Sequence, residues 1–120
     1  MAKKILIVDD EQEILDIVSI ALQKAGYEVL CTKTGEEAIE LVKSQNPDII
    51  LLDVCLPQPG IDGVETLKRI REFNHQVKVI VTSGLEKGIQ RLDEMKKLCI
   101  VDFLSKPFSL SKLKELIGRL

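Results

Sequence analysis

Short apolar runs recur along the chain, and each of them is followed at once by polar residues. Four runs are rich in β-branched and aliphatic side chains and are too short for helices, which favours buried strands of a parallel sheet. They occupy residues 5–8, 49–52, 79–81 and 103–104. A further strand, second in chain order, is predicted at Glu28–Thr32. The pattern therefore predicts five strands.

Between the strands, apolar residues recur at the three- and four-residue spacing of amphipathic helices. The helical patterns cover residues 14–25, 35–44, Gly63–Phe73, 87–97 and a last segment that carries Leu113, Leu116 and Ile117. Gly26 is expected to terminate the first helix. Either Ser109 or Ser111 is expected to cap the last helix.

Strands and helices alternate from end to end, as in proteins built from βαβ units. We therefore predict an α/β fold: a (βα)5 doubly wound, flavodoxin-like arrangement with helices on both faces of a five-stranded parallel sheet. The expected strand order is 2-1-3-4-5. No linker or repeat divides the sequence, so residues 1–120 are predicted to form one domain.

The composition excludes several classes of protein. Apolar residues make up 45% of the chain and aromatic residues only 3%, so we expect a packed, aliphatic core. The formal net charge of -2 argues against direct nucleic-acid binding, because a phosphate backbone requires a basic surface. No apolar run approaches the roughly 20 residues of a membrane span, and the first residues lack the features of an export signal. We expect a cytoplasmic protein.

The side chains of the cysteines, the histidine and the charged residues at 86–97 are predicted to have no role in the chemistry. Cys31, Cys55 and Cys99 lie in or beside apolar segments, and their number and spacing fit neither a disulfide framework nor a zinc site. We expect them to be reduced, buried thiols. His75 lies in a polar loop and is expected to be a solvated turn residue. Opposite charges alternate over residues 86–97, which is typical of a solvated helix face.

Three carboxylates follow two of the predicted strands. Asp9 and Asp10 come directly after the first strand, and Asp53 comes after the third. Because these strands are neighbours in the expected order and their carboxyl ends share one edge, the three side chains should lie close together. Like charges at close range require a cation or shifted pKa values, and Mg2+ prefers carboxylate oxygens. Taken singly, Asp10 would instead be a helix cap and Asp53 an ordinary loop acid.

A hydroxyl and an ammonium group reach the same edge after the fourth and fifth strands. A carboxylate beside a divalent metal can attack phosphorus to form an aspartyl phosphate, and Thr82 and Lys106 supply groups to hold the remaining phosphoryl oxygens. Lys106 precedes Pro107, and a cis bond there, commoner before proline than elsewhere, would fix the direction of the lysine. Taken alone, Thr82 would belong to a turn with Ser83 and Gly84, and Lys106 would be a solvated loop residue.

In this order, the motifs resemble the receiver domain of two-component response regulators over essentially the whole chain. The matching segments are residues 5–11 (ILIVDDE), 53–57 (DVCLP), 61–65 (IDGVE), 79–84 (VIVTSG) and 103–108 (FLSKPF). Each segment is short, and the ordered set is specific. The resemblance implies that Asp53 accepts a phosphoryl group from the phospho-histidine of a sensor histidine kinase or histidine phosphotransfer protein. It also implies a Mg2+ site formed by Asp9, Asp10, Asp53 and the backbone carbonyl of Cys55.

The same resemblance implies a conformational switch rather than an enzyme. Thr82 would be the switch hydroxyl and Phe103 the aromatic residue whose rotamer follows it, while Lys106 would contact the phosphoryl group. The fourth helix, fifth strand and fifth helix would then change shape and regulate a downstream effector, with a homodimer as one outcome. Catalysis would be restricted to self-phosphorylation and slow dephosphorylation.

The chain departs from the family pattern at several positions. The spacer at residues 58–61 is two residues longer than usual, and its Pro59-Gly60 pair suggests a tight turn. A Gly-Ala pair common before the switch aromatic is replaced by Cys99-Ile100. Cys55 and Gly84 offer no carboxylate or amide to orient hydrolytic water, so we expect a long-lived phosphoryl group.

Two other functions use similar folds or residues. A phosphatase of the haloacid dehalogenase type also uses Asp, Thr or Ser, Lys and Mg2+, but it needs an Asp-x-Asp motif, and here Asp53 is followed at that spacing by Cys55. A flavodoxin-like cofactor binder needs a phosphate-binding loop after the first strand and aromatic residues over the flavin. That loop is acidic here, and aromatic residues are scarce.

Overall fold

The computed structural model describes residues 2–57, 59–84 and 91–120, and a parallel sheet of five strands runs through them. The strands are β1 (Lys4–Val8), β2 (Glu28–Thr32), β3 (Ile49–Asp53), β4 (Lys78–Ser83) and β5 (Asp102–Ser105). Their order is β2-β1-β3-β4-β5, and each neighbouring pair is parallel. The predicted fold class and strand order are therefore confirmed.

Within the described ranges, each of the five strands is followed by a helix. They are α1 (Gln12–Lys24), α2 (Gly35–Gln45), α3 (Gly63–Phe73), α4 (Leu92–Lys96) and α5 (Leu110–Gly118). The side chains of Thr34, Asp62 and Ser109 cap α2, α3 and α5 by accepting a hydrogen bond from a backbone N–H three residues later. Of the two predicted caps of the last helix, Ser109 is therefore the one in place.

The described part of the fourth helix lies within its predicted range. Of the predicted range 87–97, residues 87–90 lie outside the described residues. In the described part, α4 starts at Leu92 and Arg91 is its N-cap residue. Arg91 has φ -109° and ψ 11° and makes no side-chain cap bond.

The apolar core lies on both faces of the sheet, because buried parallel strands present side chains alternately to each face. On one face, α1 and α5 cover a cluster that includes Ile7, Leu51 and Ile80. On the other face, α2, α3 and α4 cover a second cluster, to which α4 contributes the fully buried Met95. This arrangement leaves the carboxyl ends of the strands uncovered by helices.

Strand register aligns the ends that carry the polar residues. Val8 pairs with Leu52 of β3, so Asp9 follows β1 at the level where Asp53 ends β3. Asp53 in turn pairs with Thr82 of β4.

The cysteines correct the sequence prediction, since all three are exposed free thiols. Cys31 lies on β2, an edge strand of the sheet, and Cys55 lies in the loop after β3. Cys99 lies in the turn after α4. Because edge strands and surface loops are not covered on all sides, apolar neighbours in the sequence did not imply burial at these positions. His75 is exposed between α3 and β4, as predicted.

Within the described residues, no helix combines the length and apolar character that crossing a bilayer requires.

Candidate functional site

Three carboxylates lie together at the carboxyl edge of the sheet. Asp9 and Asp53 are buried, with 2% and 3% of their surface exposed, while Asp10 is exposed. One carboxylate oxygen from each residue can be chosen so that all three lie within 4.8 Å of one another. Three carboxylates at the ends of two adjacent strands, with Asp10 open to solvent, offer oxygen donors that suit a hard divalent cation.

Lys106 reaches the two buried carboxylates from the end of β5. Its Nζ donates to Asp9 Oδ2 at 2.7 Å and to Asp53 Oδ2 at 3.0 Å, and Glu11 Oε1 lies 3.7 Å away. The backbone N–H of Lys106 donates to the carbonyl of Ser83 at 2.8 Å, which extends the β4–β5 pairing by one residue. The Lys106–Pro107 peptide bond is cis. We call Asp9, Asp10, Asp53 and Lys106 the acidic pocket.

The protonation equilibria in the acidic pocket reflect burial and mutual attraction. Burial raises the pKa of Asp53, and the nearby charge of Asp9 raises it further, although hydrogen bonds from the Cys55 N–H and from Lys106 act in the opposite direction. Burial alone would lower the pKa of Lys106, but its hydrogen bonds to Asp9 and Asp53 outweigh that effect and the pKa is raised. Lys106 is therefore a permanent cation, and ionisation of Asp53 is energetically unfavourable compared with that of an exposed aspartate.

Local backbone turns hold the two buried carboxylates in place. The N–H of Cys55 donates to Asp53 Oδ1 at 2.9 Å, and the N–H of Glu11 donates to Asp9 Oδ1 at 2.9 Å. Each carboxylate thus bonds the backbone two residues later, as short acidic side chains often do after a strand. The N-cap residue of α1 is Glu11, so the alternative in which Asp10 caps that helix is wrong.

Thr82 and Phe103 lie close to the acidic pocket along the sheet. Thr82 is 2% exposed and stands opposite Asp53 in the β3–β4 pairing. Phe103 is half-buried on β5 and pairs with Val81, the neighbour of Thr82. The structure thus brings the predicted switch residues to adjacent positions of two adjacent strands, and their roles stay predictions. The backbone of Cys55 lies beside Asp53 through the hydrogen bond described above, and its role as a metal ligand also stays a prediction.

The lengthened loop after β3 packs closely against the site. Pro59 lies in a turn, as predicted, and Gln58 lies outside the described residues. The N–H of Ile61 donates to Glu36 Oε2 of α2 at 3.3 Å. At Gly63 a Cβ atom would stand 2.2 Å from the carbonyl oxygen of Asp53, so only glycine allows α3 to begin this close to β3.

Two arginines outside the acidic pocket each donate two or more side-chain hydrogen bonds, and their partners were not predicted from the sequence. Arg71 is 8% exposed and donates to four backbone carbonyl oxygens. Its signal in the sequence is its helical phase, because it follows Val64 by seven positions and Leu67 by four, on the apolar face of α3. Arg91 pairs with Asp62 and Glu94. A single sequence carries no signal for that pairing, since Asp62 and Arg91 are far apart along the chain.

Comparison with known proteins agrees with this geometry. Residues 5–118 match the sequence model of the response regulator receiver domain. The chain belongs to the response regulator receiver domain family. The match covers the acidic pocket, both switch positions and all five strands except the first residue of β1.

Solved receiver domains have the same fold. A CheY-like receiver domain protein from Methanospirillum hungatei superimposes with a TM-score of 0.92 at 27% identity, over 99% of this chain and 93% of the other. The chemotaxis response regulator CheY4 of Vibrio cholerae gives a TM-score of 0.86 at 30% identity, over 99% and 98%. NtrX from Brucella abortus gives 0.89 at 28% identity, but the match covers only 26% of that longer chain.

Membership of the family sets the general class of function. Receiver domains are phosphoacceptor switches of two-component systems and are not generally classed as enzymes. Members interact with histidine kinases and with effector domains. The haloacid dehalogenase and flavin-binding alternatives therefore have no support from the family match.

Proposed function

We propose that residues 1–120 act as one phosphorelay domain in which Asp53 accepts a phosphoryl group from a sensor histidine kinase or a histidine phosphotransfer protein. The observation that carries the proposal is the contact of Lys106 Nζ with both Asp53 and Asp9, at 3.0 and 2.7 Å. These contacts place a permanent cation beside a buried carboxylate and a group of acidic oxygens. A phosphoryl group on Asp53 would bring its negative oxygens to that cation.

The carboxylates fit the Mg2+ ion that the family implies. Asp9, Asp10 and Asp53 would supply side-chain oxygens and Cys55 a backbone carbonyl, and the oxygens of the three carboxylates lie within 4.8 Å. When bound, Mg2+ neutralises charge on the carboxylates and on the oxygens of the transferred group.

The proposed reaction is an in-line displacement at phosphorus. A carboxylate oxygen of Asp53 forms the new P–O bond while the P–N bond to the partner's histidine breaks, and the electron pair of that bond returns to the imidazole nitrogen. Lys106 then contacts a phosphoryl oxygen in place of the carboxylate oxygen that it contacts in the unmodified protein. Burial of Asp53 limits the access of water and so protects the acyl phosphate after transfer.

The modified aspartate would act through Thr82 and Phe103. A phosphoryl group carries about -1.5 to -2 charges at neutral pH and offers new acceptor oxygens. We expect the Thr82 hydroxyl to move toward it and Phe103 to turn into the space that Thr82 leaves. The readout surface of α4, β5 and α5 would then change, bind a downstream effector and support a homodimer on phosphorylation.

The proposal also covers the lifetime and location of the switch. Cys55 is exposed, and its Sγ lies 3.8 Å from Ser83 Oγ. Because a thiol is a poor acceptor for orienting water, self-dephosphorylation should be slow. We propose a cytoplasmic location, where a kinase and an effector would both have access to the domain.

Labelling by a small phosphodonor tests the assignment of Asp53. The protein is incubated with acetyl phosphate and Mg2+, and intact mass spectrometry counts the phosphoryl groups. We expect one group on the wild type and on Asp48→Asn, a matched control at the opposite end of β3, and none on Asp53→Asn. Labelling of Asp53→Asn equal to that of the wild type would remove Asp53 from its role.

A further inference from the structure

Arg91, the residue before α4, forms an ion pair with Asp62, which lies in the loop that follows Asp53. Arg91 Nη1 contacts Asp62 Oδ2 at 2.7 Å, and Arg91 Nε contacts Glu94 Oε2 at 3.2 Å within α4. The other oxygen of Asp62 accepts the N–H of Glu65 at 2.8 Å and so caps α3. One carboxylate therefore connects the start of α3 with the start of α4.

Asp62 has a fixed position relative to the phosphorylation site. The N–H of Gly63 donates to the carbonyl of Val54 at 2.9 Å, which closes the loop immediately beyond Asp53. The N–H of Val54 donates to the carbonyl of Thr82 at 2.9 Å. The close packing of Gly63 on the Asp53 carbonyl leaves little room for relative movement. A change in position at Asp53 or Thr82 is therefore transmitted to Asp62 through two hydrogen bonds.

The opposite end of α4 is held much more firmly. Arg71 Nε donates to the carbonyl of Leu98 at 2.9 Å, and Arg71 Nη2 donates to the carbonyl of Cys99 at 3.2 Å. Its Nη1 donates to the carbonyls of Asn74 and Val77, at 3.2 and 2.8 Å. The buried guanidinium thus ties the turn after α4 to the end of α3 and the approach to β4.

The two ends of α4 differ in the strength of these contacts. The side chains of Arg91 and Asp62 are 38% and 33% exposed, so water weakens their attraction. Arg71 is only 8% exposed, so its hydrogen bonds are less open to water than the Asp62–Arg91 pair, and a buried polar group is expensive to leave without partners. Glu94, in the first turn of α4, also pairs with Lys68 of α3, and these two side chains are likewise exposed. Because the ion pairs described at the N-terminal end of α4 are all open to water, this is the end that separates from its neighbours at low cost.

We propose that the Asp62–Arg91 ion pair is a latch that holds the N-terminal end of α4 in the unphosphorylated conformation, with Arg71 as the fixed point at the other end. The proposal rests on the proposed function. Movement of Thr82 toward a phosphoryl group reaches Asp62 through the backbone hydrogen bonds of Val54 and Gly63, and displacement of Asp62 strains its ion pair with Arg91. Release of the latch lets α4 swing about the turn that Arg71 holds.

Linkage predicts the effect of breaking the latch. An interaction present only in the unphosphorylated conformation opposes phosphorylation, and its removal favours the phosphorylated form by the same factor. Exposed ion pairs change equilibria by factors of about 1.5 to 5. Arg91→Gln should therefore raise the ratio of phosphorylated to unphosphorylated protein about 1.5- to 5-fold at a subsaturating acetyl phosphate concentration with Mg2+. Hydrogen exchange of the α4 amides in the unmodified protein should accelerate by a similar factor.

Companion variants make the test specific. Asp62→Asn keeps an oxygen to cap α3 but loses the charge, and it leaves the Arg91–Glu94 pair intact. It should therefore change both measurements in the same direction as Arg91→Gln and by no more than Arg91→Gln does, and the double variant should match Arg91→Gln. Arg91→Lys keeps the charge and should restore most of the wild-type behaviour. Lys96→Gln removes a positive charge from an exposed position of α4 without touching the latch, and it should leave both measurements unchanged.

The outcomes separate the latch from the proposed function. If wild-type Asp53 is labelled but Arg91→Gln and Lys96→Gln are indistinguishable in phosphorylation and in exchange, the latch is overturned. An equal increase in Arg91→Gln and Lys96→Gln would also overturn it, since loss of charge alone would then suffice. Absence of labelling in the wild type would instead refute the proposed function of Asp53.

Discussion

At the acidic pocket every charged group stands at the end of a strand, whereas around α4 the contacts come from side chains of helices and turns. Asp9, Asp53 and Lys106 follow or end β1, β3 and β5, so the sheet hydrogen bonds fix their spacing. The five-residue helix α4 relies instead on exposed ion pairs and on Arg71. In the proposed function, the sheet therefore positions the reacting groups, and side-chain contacts control the readout surface around α4.

The two regions also differ in what limits their stability. In the acidic pocket the limit is electrostatic, because buried carboxylates repel one another and depend on a cation. Around α4 the limit is the small number of buried contacts, since Met95 is the buried residue of this short helix. Helices of this length are not stable alone and take their position from tertiary contacts.

The largest expected effect comes from removing the cation of the acidic pocket. Lys106→Met should lower the rate of phosphorylation by acetyl phosphate about 100- to 1000-fold, because the transferred group loses a prepositioned positive charge. Lys78→Met, which changes an exposed lysine at the other end of β4, should stay close to the wild type. Stopped-flow or timed intact-mass measurements on folded variants give the rates. Equal rates for the two variants would show that the strand ends alone do not define the chemistry.

The sequence was sufficient to predict the acidic pocket because the ends of buried strands can be recognised from the sequence. Short β-branched runs marked the strands, and the alternation with helical patterns limited the strand order, from which the proximity of Asp9 and Asp53 followed. The bounds of β2 and α3 agree with the prediction. These inferences use local periodicity and a topological rule. Neither the periodicity nor the rule requires knowledge of individual side-chain contacts.

The surroundings of α4 were not predictable in the same way. The Asp62–Arg91 pair and the four carbonyl partners of Arg71 depend on how helices and turns pack, which periodicity does not encode. The exposure of Cys31 and Cys99 was missed for a related reason, since whether an apolar segment is covered depends on its neighbours in space.

Arg71 should contribute the most to stability in the α4 region. Arg71→Met leaves four carbonyl oxygens without their donor, and we expect a loss of about 3 kcal/mol in the free energy of unfolding. Arg69→Met, an exposed position on the same helix, should change it by less than about 0.5 kcal/mol. Urea unfolding followed by circular dichroism measures both. A loss below about 1 kcal/mol for Arg71→Met would mean that Arg71 does not hold the C-terminal end of α4 in place.

Replacing Asp53 in the acidic pocket should have the opposite effect to replacing Arg71, because the buried charge of Asp53 destabilises the fold. Burial raises the pKa of Asp53, so its contribution stabilises the protein below the ordinary aspartate pKa of about 3.9 and is lost as the pH rises through the folded-state pKa. At pH 7, without divalent cations, Asp53→Asn should therefore be more stable than the wild type. The advantage of Asp53→Asn should shrink toward pH 4 in thermal melts.

Addition of Mg2+ should reverse that order. A ligand that binds only the folded state stabilises it by roughly 1.4 kcal/mol at about ten times its Kd. The wild type should gain this stability, and Asp53→Asn should gain less because it has lost a carboxylate ligand. Equal stabilisation of both proteins by Mg2+ would exclude Asp53 from the metal site.

The smallest effect concerns the turn that ends the α4 region. Cys99 has φ 59°, in the left-handed region that glycine adopts freely and cysteine adopts at a cost. Cys99→Gly should therefore be more stable than Cys99→Ala by about 1 kcal/mol, since both lose the exposed thiol and only glycine relieves the backbone. The carbonyl of residue 99 stays available to Arg71 in both variants. If Cys99→Ala proves the more stable in urea unfolding, backbone strain does not set the stability of this turn, and the weakness of the α4 region lies wholly in its exposed ion pairs.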